Sequence, residues 1–374
     1  MSLSSTLKIY QFILFISIYS TTQAQPFVTS TNGSTYRLVW SDEFTGYGIV
    51  DTTKWFHQTK LPLAGSWYNG EIQHYTNRAE NSARINGVLN ITARRENFSD
   101  QGFTKNYTSA RLNSKFAFKY GKVECKVRLP IGVGTWPAIW MLGKNIDEDG
   151  AYWDNLNFDT TPWPACGEID ILEHWGSNQN FIQSAIHTPS SFGNTVNKGG
   201  RILNTASSEF HIYTMEWDAD KIRFSVDSQE YYTYQPSIKN SSTWPFDEDQ
   251  YLILNVAIQG NISSNFSQDA MEIDYIRVYQ ESSSLGMSST SMENLQAYPN
   301  PFEHSIQIKV SEHLLNNQAM VQLHSMDGKL VYEKNIEHMT SLYTINDLYE
   351  LVSGVYYVSI TSNQQTSRIK IIKL

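Results

Sequence analysis

Cysteine is scarce in this 374-residue chain: only Cys125 and Cys166 occur. Two thiols cannot build a disulfide framework, and neither lies in a Cys-x-x-Cys or Cys/His spacing of the kind that holds zinc. They read as two small buried thiols, with a single bridge between them as the alternative. Charge is also thin, at 17 % of residues, and the balance is acidic, with a net charge of −9. No Lys/Arg stripe stands out, which argues against nucleic acid as a partner. Beyond the N-terminus no apolar run reaches the ~20 residues needed to span a bilayer. Long amphipathic helical patterns are missing as well.

What the chain does have is aromatic residues, 13 %, including 10 Trp and 22 Tyr. Such rings fill a β core or lie flat against weakly polar ligands such as sugar faces. The N-terminus reads as an address: Lys8 precedes the apolar run Ile9 to Tyr19, and Thr22-Gln23-Ala24 offers a small-residue cleavage site. Residues 1–24 are therefore expected to be a signal peptide, too short in its apolar part to be a membrane span.

From 27 to 280 the pattern is one of short alternating runs bounded by Gly, Asn, Asp and Pro. Leu89 to Ala93, Lys122 to Leu129, Lys221 to Val226, Tyr251 to Ala257 and Met271 to Tyr279 are examples. Many short strands separated by turn signals predict an all-β sandwich or jelly roll. Residues 281–293, ESSSLGMSSTSME, have little to bury and read as a Ser-rich linker. Residues 294–374 then form a second, smaller β-sandwich unit. It has a hairpin signal at Asp327-Gly328 and further strands at Gly354 to Val358 and Arg368 to Leu374.

The chemistry is concentrated in Gly167-Glu168-Ile169-Asp170-Ile171-Leu172-Glu173-His174. On a strand Glu168 and Asp170 share one face and the isoleucines the other. Strict alternation sends Glu173 to the apolar side. A one-residue bulge near Ile171-Leu172 restores it to the carboxylate face, and bulges favour active-site strands. Like charges so close raise one another's pKa. A retaining glycosidase uses that: one ionised carboxylate attacks the anomeric carbon, and a second, protonated, ~5–5.5 Å away donates to the leaving oxygen. A solvated polar strand face or a cation site is the plainer alternative, although Ca²⁺ usually draws its ligands from a loop.

This segment resembles the active-site signature of glycoside hydrolase family 16, in the bulged Glu-x-Asp-x-x-Glu form of its laminarinase-like branch. Other motifs stand in the order that family shows: Leu38 to Phe44, Glu71-Ile72-Gln73-His74-Tyr75, Thr108-Ser109-Ala110-Arg111, Gly134 to Leu142, Met215-Glu216-Trp217 and Ile273 to Tyr279. The resemblance implies a concave β-jelly roll holding a glucan or galactan chain, with Glu168 as nucleophile, Asp170 as its assistant and Glu173 as acid/base. It further implies Trp136 and Trp140 as sugar platforms and His187 directed at Asp170; Trp163, just before the catalytic strand, is a further platform candidate, with plain packing as the alternative. Glu71, Gln73 and Arg111 would hydrogen-bond sugar hydroxyls. No catalytic cofactor is implied. A structural Ca²⁺ is, held by the Asp274 side chain with Glu43 and Gly87 through backbone carbonyls. Ile258 to Ile262 departs from the family's Gly-Gly-x-Trp ending.

The C-terminal unit resembles a type A sorting domain of type IX secretion in Bacteroidetes, through Leu295 to Phe302, Asp327-Gly328-Lys329, Gly354-Val355-Tyr356 and a basic-apolar ending. An accessory carbohydrate-binding sandwich is the alternative. The reading is a secreted or surface-attached monomer: an endo-acting β-1,3-glucanase, or one that also cuts mixed β-1,3-1,4-glucan. A galactanase of the same fold and a non-catalytic glucan-binding protein are the competing readings. Its partners would be β-glucan and the secretion machinery.

Overall fold

The computed structural model describes residues 27–29, 35–281, 295–310, 315, 317–325, 330–362 and 365–374. The expected signal peptide, nearly all of the linker and the Asp327-Gly328 turn lie outside the described residues. The regular elements described are strands and three short 3-10 turns, and the chain divides into two units at Ser282/Ser283.

In the first unit two large sheets pack face to face, as the all-β expectation required. Alternation explains the packing. In Gly121–Arg128, Val123, Cys125 and Val127 are buried while Lys122, Glu124 and Lys126 between them are half-buried. These inward residues meet Ile139, Met141, Ile169, Ile186, Leu252, Leu254 and Val256 of the facing sheet in one continuous core. Each fully buried side chain of this size contributes ~1.5–3 kcal/mol. All five runs read as strands lie on strands to within one residue at an end, the longest strands being Val88–Asp100 and Gln268–Glu281. Cys125 and Cys166 are both free and buried.

The seven-stranded sheet carries the site. Its order is Lys198–Ile202, Phe181–His187, Glu168–His174, Thr135–Gly143, Gln250–Ile258, Arg111–Phe118, Trp55–His57, with every neighbour antiparallel. Gln250–Ile258 departs from alternation, since all nine of its residues are buried. One face lies in the main core. On the other, Tyr251 and Ile253 join Leu142, Ile146 and Cys166 in a second cluster beneath the long connection that follows Gly143.

The second unit is a small β-sandwich of a three-stranded and a four-stranded sheet. It has its own core, including Phe302, Ile306, Val321, Leu323, Val358 and Ile360. Gly354–Ser362 and Gln365–Lys373 are the strands expected there.

Close backbone approach fixes one glycine near the site. A Cβ on Gly176 would lie 1.7 Å from the Gly132 carbonyl oxygen and 2.7 Å from Thr135 Oγ1. Overpacking of this kind costs ~1–3 kcal/mol. Gly176→Ala is therefore expected to lower Tm by roughly 4–8 °C for a loss of about 2 kcal/mol, as checked by differential scanning calorimetry.

Candidate active site

The expected bulge is present. Asp170 pairs with Ala185 and Glu173 with Gln183, so Ile171 and Leu172 together oppose the single residue Ser184. On the other side Leu172 pairs with Ile139 and Asp170 with Trp140, which leaves Ile171 as the extra residue. Ser184 Oγ donates to the Ile171 carbonyl at 2.8 Å and so satisfies the acceptor that the bulge displaces. Ile169, Ile171 and Leu172 remain in the main core, and Glu168, Asp170 and Glu173 are left on the opposite face.

Residues paired across a sheet share a face, and three rows result. One runs Gln183, Glu173, Ala138, Asn255, Arg111; the next Ala185, Asp170, Trp140, Ile253, Asn113; the third His187, Glu168, Leu142, Tyr251, Ala117. Trp136 belongs to the same face, two positions before Ala138.

Each carboxylate has its own partners. Glu168 accepts from Trp163 Nε1 at 2.8 Å. Glu173 accepts from Trp136 Nε1 at 3.2 Å and from Gln183 Nε2 at 3.4 Å. His187 Nε2 stands 3.5 Å from Glu168 Oε1 and 3.1 Å from Asp170 Oδ2. The approach to Asp170 is close but poorly aligned, so Asp170 Oδ2 has no hydrogen-bond donor. Ligand atoms of Glu168, Asp170 and His187 lie within 4.8 Å of one another, the one cluster among the described residues with the makings of a metal site.

Burial raises the pKa of all three carboxyls, and repulsion from Asp170 adds to the rise at Glu168 and Glu173. His187 and Trp163 pull Glu168 back toward ionisation. Three carboxyls on one face, Asp170 and Glu173 buried and Glu168 half-buried, do not all carry charge, so protons are retained near neutral pH. That suits a pair in which one group donates a proton while another attacks.

Other expected site residues are differently engaged. Trp136 stacks on Trp175, with ring centroids 6.0 Å apart. Trp163, 40 % exposed, lies against His187 and Phe192. Trp140 Nε1 donates to Asn255 Oδ1 at 2.7 Å; Asn255 Nδ2 donates to Tyr75 Oη, and Tyr75 in turn to Glu71 Oε2. Gln73 is fully buried, donates to Glu71 and accepts from the Ile258 amide. It braces Glu71, whose carboxyl pKa burial pushes upward. Arg111 is 3 % exposed and pairs with both oxygens of Glu148 at 2.8 and 2.9 Å. Its Nε donates to Gln58. Its charge is thus neutralised inside the protein rather than offered whole to a ligand. Trp175, Gln183, Ser184, Asn255 and Glu148 were not expected from the sequence.

Asp274 follows Ile273, the last residue paired to the Val88–Asp100 strand, and Ile276 is already paired to Asp42. Glu43 and Gly87 flank that seam. The one side chain expected to hold calcium is already engaged: Asp274 Oδ2 holds Lys126 Nζ at 2.6 Å.

A carboxyl whose folded pKa is raised is most favourable to stability below its unfolded pKa. That stability is lost as pH rises through the folded value. For Glu173 the window runs from 4.5 to about 8. Glu173→Gln is expected to raise Tm by several degrees at pH 8 and to change it little at pH 4, as measured by calorimetry across that range.

Residues 69–277 match the model of glycosyl hydrolases family 16, and residues 296–374 match the secretion system C-terminal sorting domain. A β-glucanase of Rhodothermus marinus is 36 % identical over 263 residues, covering 66 % of this chain and 85 % of the relative. Among solved structures, a LamA variant from Z. galactanivorans in complex with laminaritriose and laminaritetraose is 44 % identical. It covers 65 % of this chain and 98 % of its own, with a TM-score of 0.60. The laminarinase from Flavobacterium sp. UMI-01 is 37 % identical, covers 65 % of this chain and 100 % of its own, and has a TM-score of 0.56. No helix among the described residues is long and apolar enough to cross a membrane, and the C-terminal match marks the chain for secretion. With the bulged carboxylate strand lying inside the matched segment, the chain belongs to glycoside hydrolase family 16.

Proposed function

We propose that this chain is an endo-acting retaining β-1,3-glucanase that also accepts mixed β-1,3-1,4-glucan. In its double displacement, ionised Glu168 attacks the anomeric carbon while Glu173 gives its proton to the leaving glycosidic oxygen. Water then attacks the anomeric carbon and breaks its bond to Glu168, with Glu173 taking the water's proton. Asp170 sits between the two and, with His187, biases their charges. The observation that carries this reading is the Ile171 bulge, which sets Glu168 and Glu173 on one face with separate hydrogen-bond donors.

The named relatives favour a glucan, among them a glucan endo-1,3-β-glucosidase of Niallia circulans at 34 % identity, of whose length this chain covers 38 %. Trp136, Trp140 and Trp163 would offer ring faces to the sugars. Calcium plays no part in these steps, and binding it at Asp274 would mean competing with Lys126. Residues 27–280 are assigned to catalysis, 281–293 to the linker and 294–374 to sorting.

Reducing ends released from laminarin, mixed-linkage glucan, agarose and carrageenan test the function, with Glu168→Gln as control. Turnover of laminarin that the control lacks is expected. Activity on a galactan alone would keep the mechanism and overturn the substrate, and silence on all four would restore the binding-protein reading. Glu168→Ala with azide is expected to yield a glycosyl azide of inverted configuration, read by NMR; a retained product would move the nucleophile elsewhere. Deleting residues 295–374 is expected to leave kcat on laminarin unchanged and to abolish export, read from culture-medium fractions.

A further inference from the structure

Three acidic residues in succession, Asp147, Glu148 and Asp149, lie in the connection between Gly143 and Glu168, and only the middle one turns inward. Glu148 is 4 % exposed, and its two oxygens grip Arg111 Nη2. A guanidinium fixed by its charge partner and by Gln58 at Nε has little freedom to rotate. It lies 4.9 Å from the centre of the Trp140 ring and 5.3 Å from that of Trp67. Cation–π attraction then ties the indole planes to the guanidinium. Trp140 stands in the row of Asp170.

We propose that Glu148 is a positioning residue for the sugar-binding cleft: by locking Arg111 it sets the plane of Trp140, the ring offered to the substrate beside Asp170. This rests on the reading of that cleft as the glucan site. Without Glu148, Arg111 would be a buried, uncompensated cation. Glu71 also interacts with it electrostatically but makes no ion pair with it. Released from Glu148, the guanidinium would no longer be held against Trp140, while Glu168 and Glu173 would keep their own donors. Substrate binding should suffer and turnover should not.

Glu148 and Trp140 have no direct hydrogen bond, so a double-mutant cycle between them isolates coupling through Arg111. Full-length wild type, Glu148→Gln, Trp140→Ala and the double variant would be assayed on laminarin oligosaccharides, with melting curves for each. Glu148→Gln is expected to raise KM about tenfold with kcat within about twofold. In the Trp140→Ala background the same change is expected to add less than about twofold to KM. Effects that multiply in the double variant, or a fall in kcat at unchanged KM, would overturn the role. If Glu148→Gln does not fold, Glu148→Asp, which keeps the charge at shorter reach, is read by the same two criteria. A wild type inactive on every glucan would overturn the function and this role with it, whereas an active wild type with multiplying effects overturns the role alone.

Discussion

A β-strand sends alternate side chains to opposite faces, so a sheet with one face in a hydrophobic core dictates where every second residue must go. In the Glu168–His174 strand that rule would bury Glu173 beside Ile169 and Ile171. Ile171, the one extra residue, reverses the parity, and Ser184 secures the reversal by donating to the carbonyl it displaces. The rest of the site depends on this. The contacts of Glu173 with Trp136 and Gln183, and its row across the sheet to Asn255 and Arg111, all require Glu173 to stand on the outer face.

The same geometry makes the face electrically awkward, and the surroundings answer it. Three carboxyls out of water would repel one another if all were ionised. Trp163 and His187 favour charge on Glu168, whereas Asp170 Oδ2 lacks a hydrogen-bond donor. The counter-charge that is fully committed, Arg111, lies at the far end of the Glu173 row, beneath Trp140 rather than against the carboxylates. Kept at that distance, it leaves the protons of the catalytic strand in place.

Much of this was legible in the sequence because it follows from local rules. The strands, the carboxylate triad and its bulge come from alternation broken at one point, and the pairing of Trp136 with Trp140 on one face comes from their spacing of four. Trp175 was equally accessible, since it stands two residues beyond Glu173. Asn255 left a fainter trace as the lone polar residue within Leu252 to Ile258. Glu148 left none: in an acidic loop, nothing local distinguishes the residue that turns inward, and only its pairing with Arg111, 37 positions away, does so. The second task of Gln73, accepting from the buried Ile258 amide, was not legible because Ile258 lies 185 positions away.

Among the described residues, each unit has its own cluster of buried apolar side chains. The family 16 match falls within the first unit and the sorting match within the second, so address and activity are in this sense separately heritable. Substitutions in the two parts should accordingly drift under different selection, one set by a transport apparatus and the other by a polysaccharide.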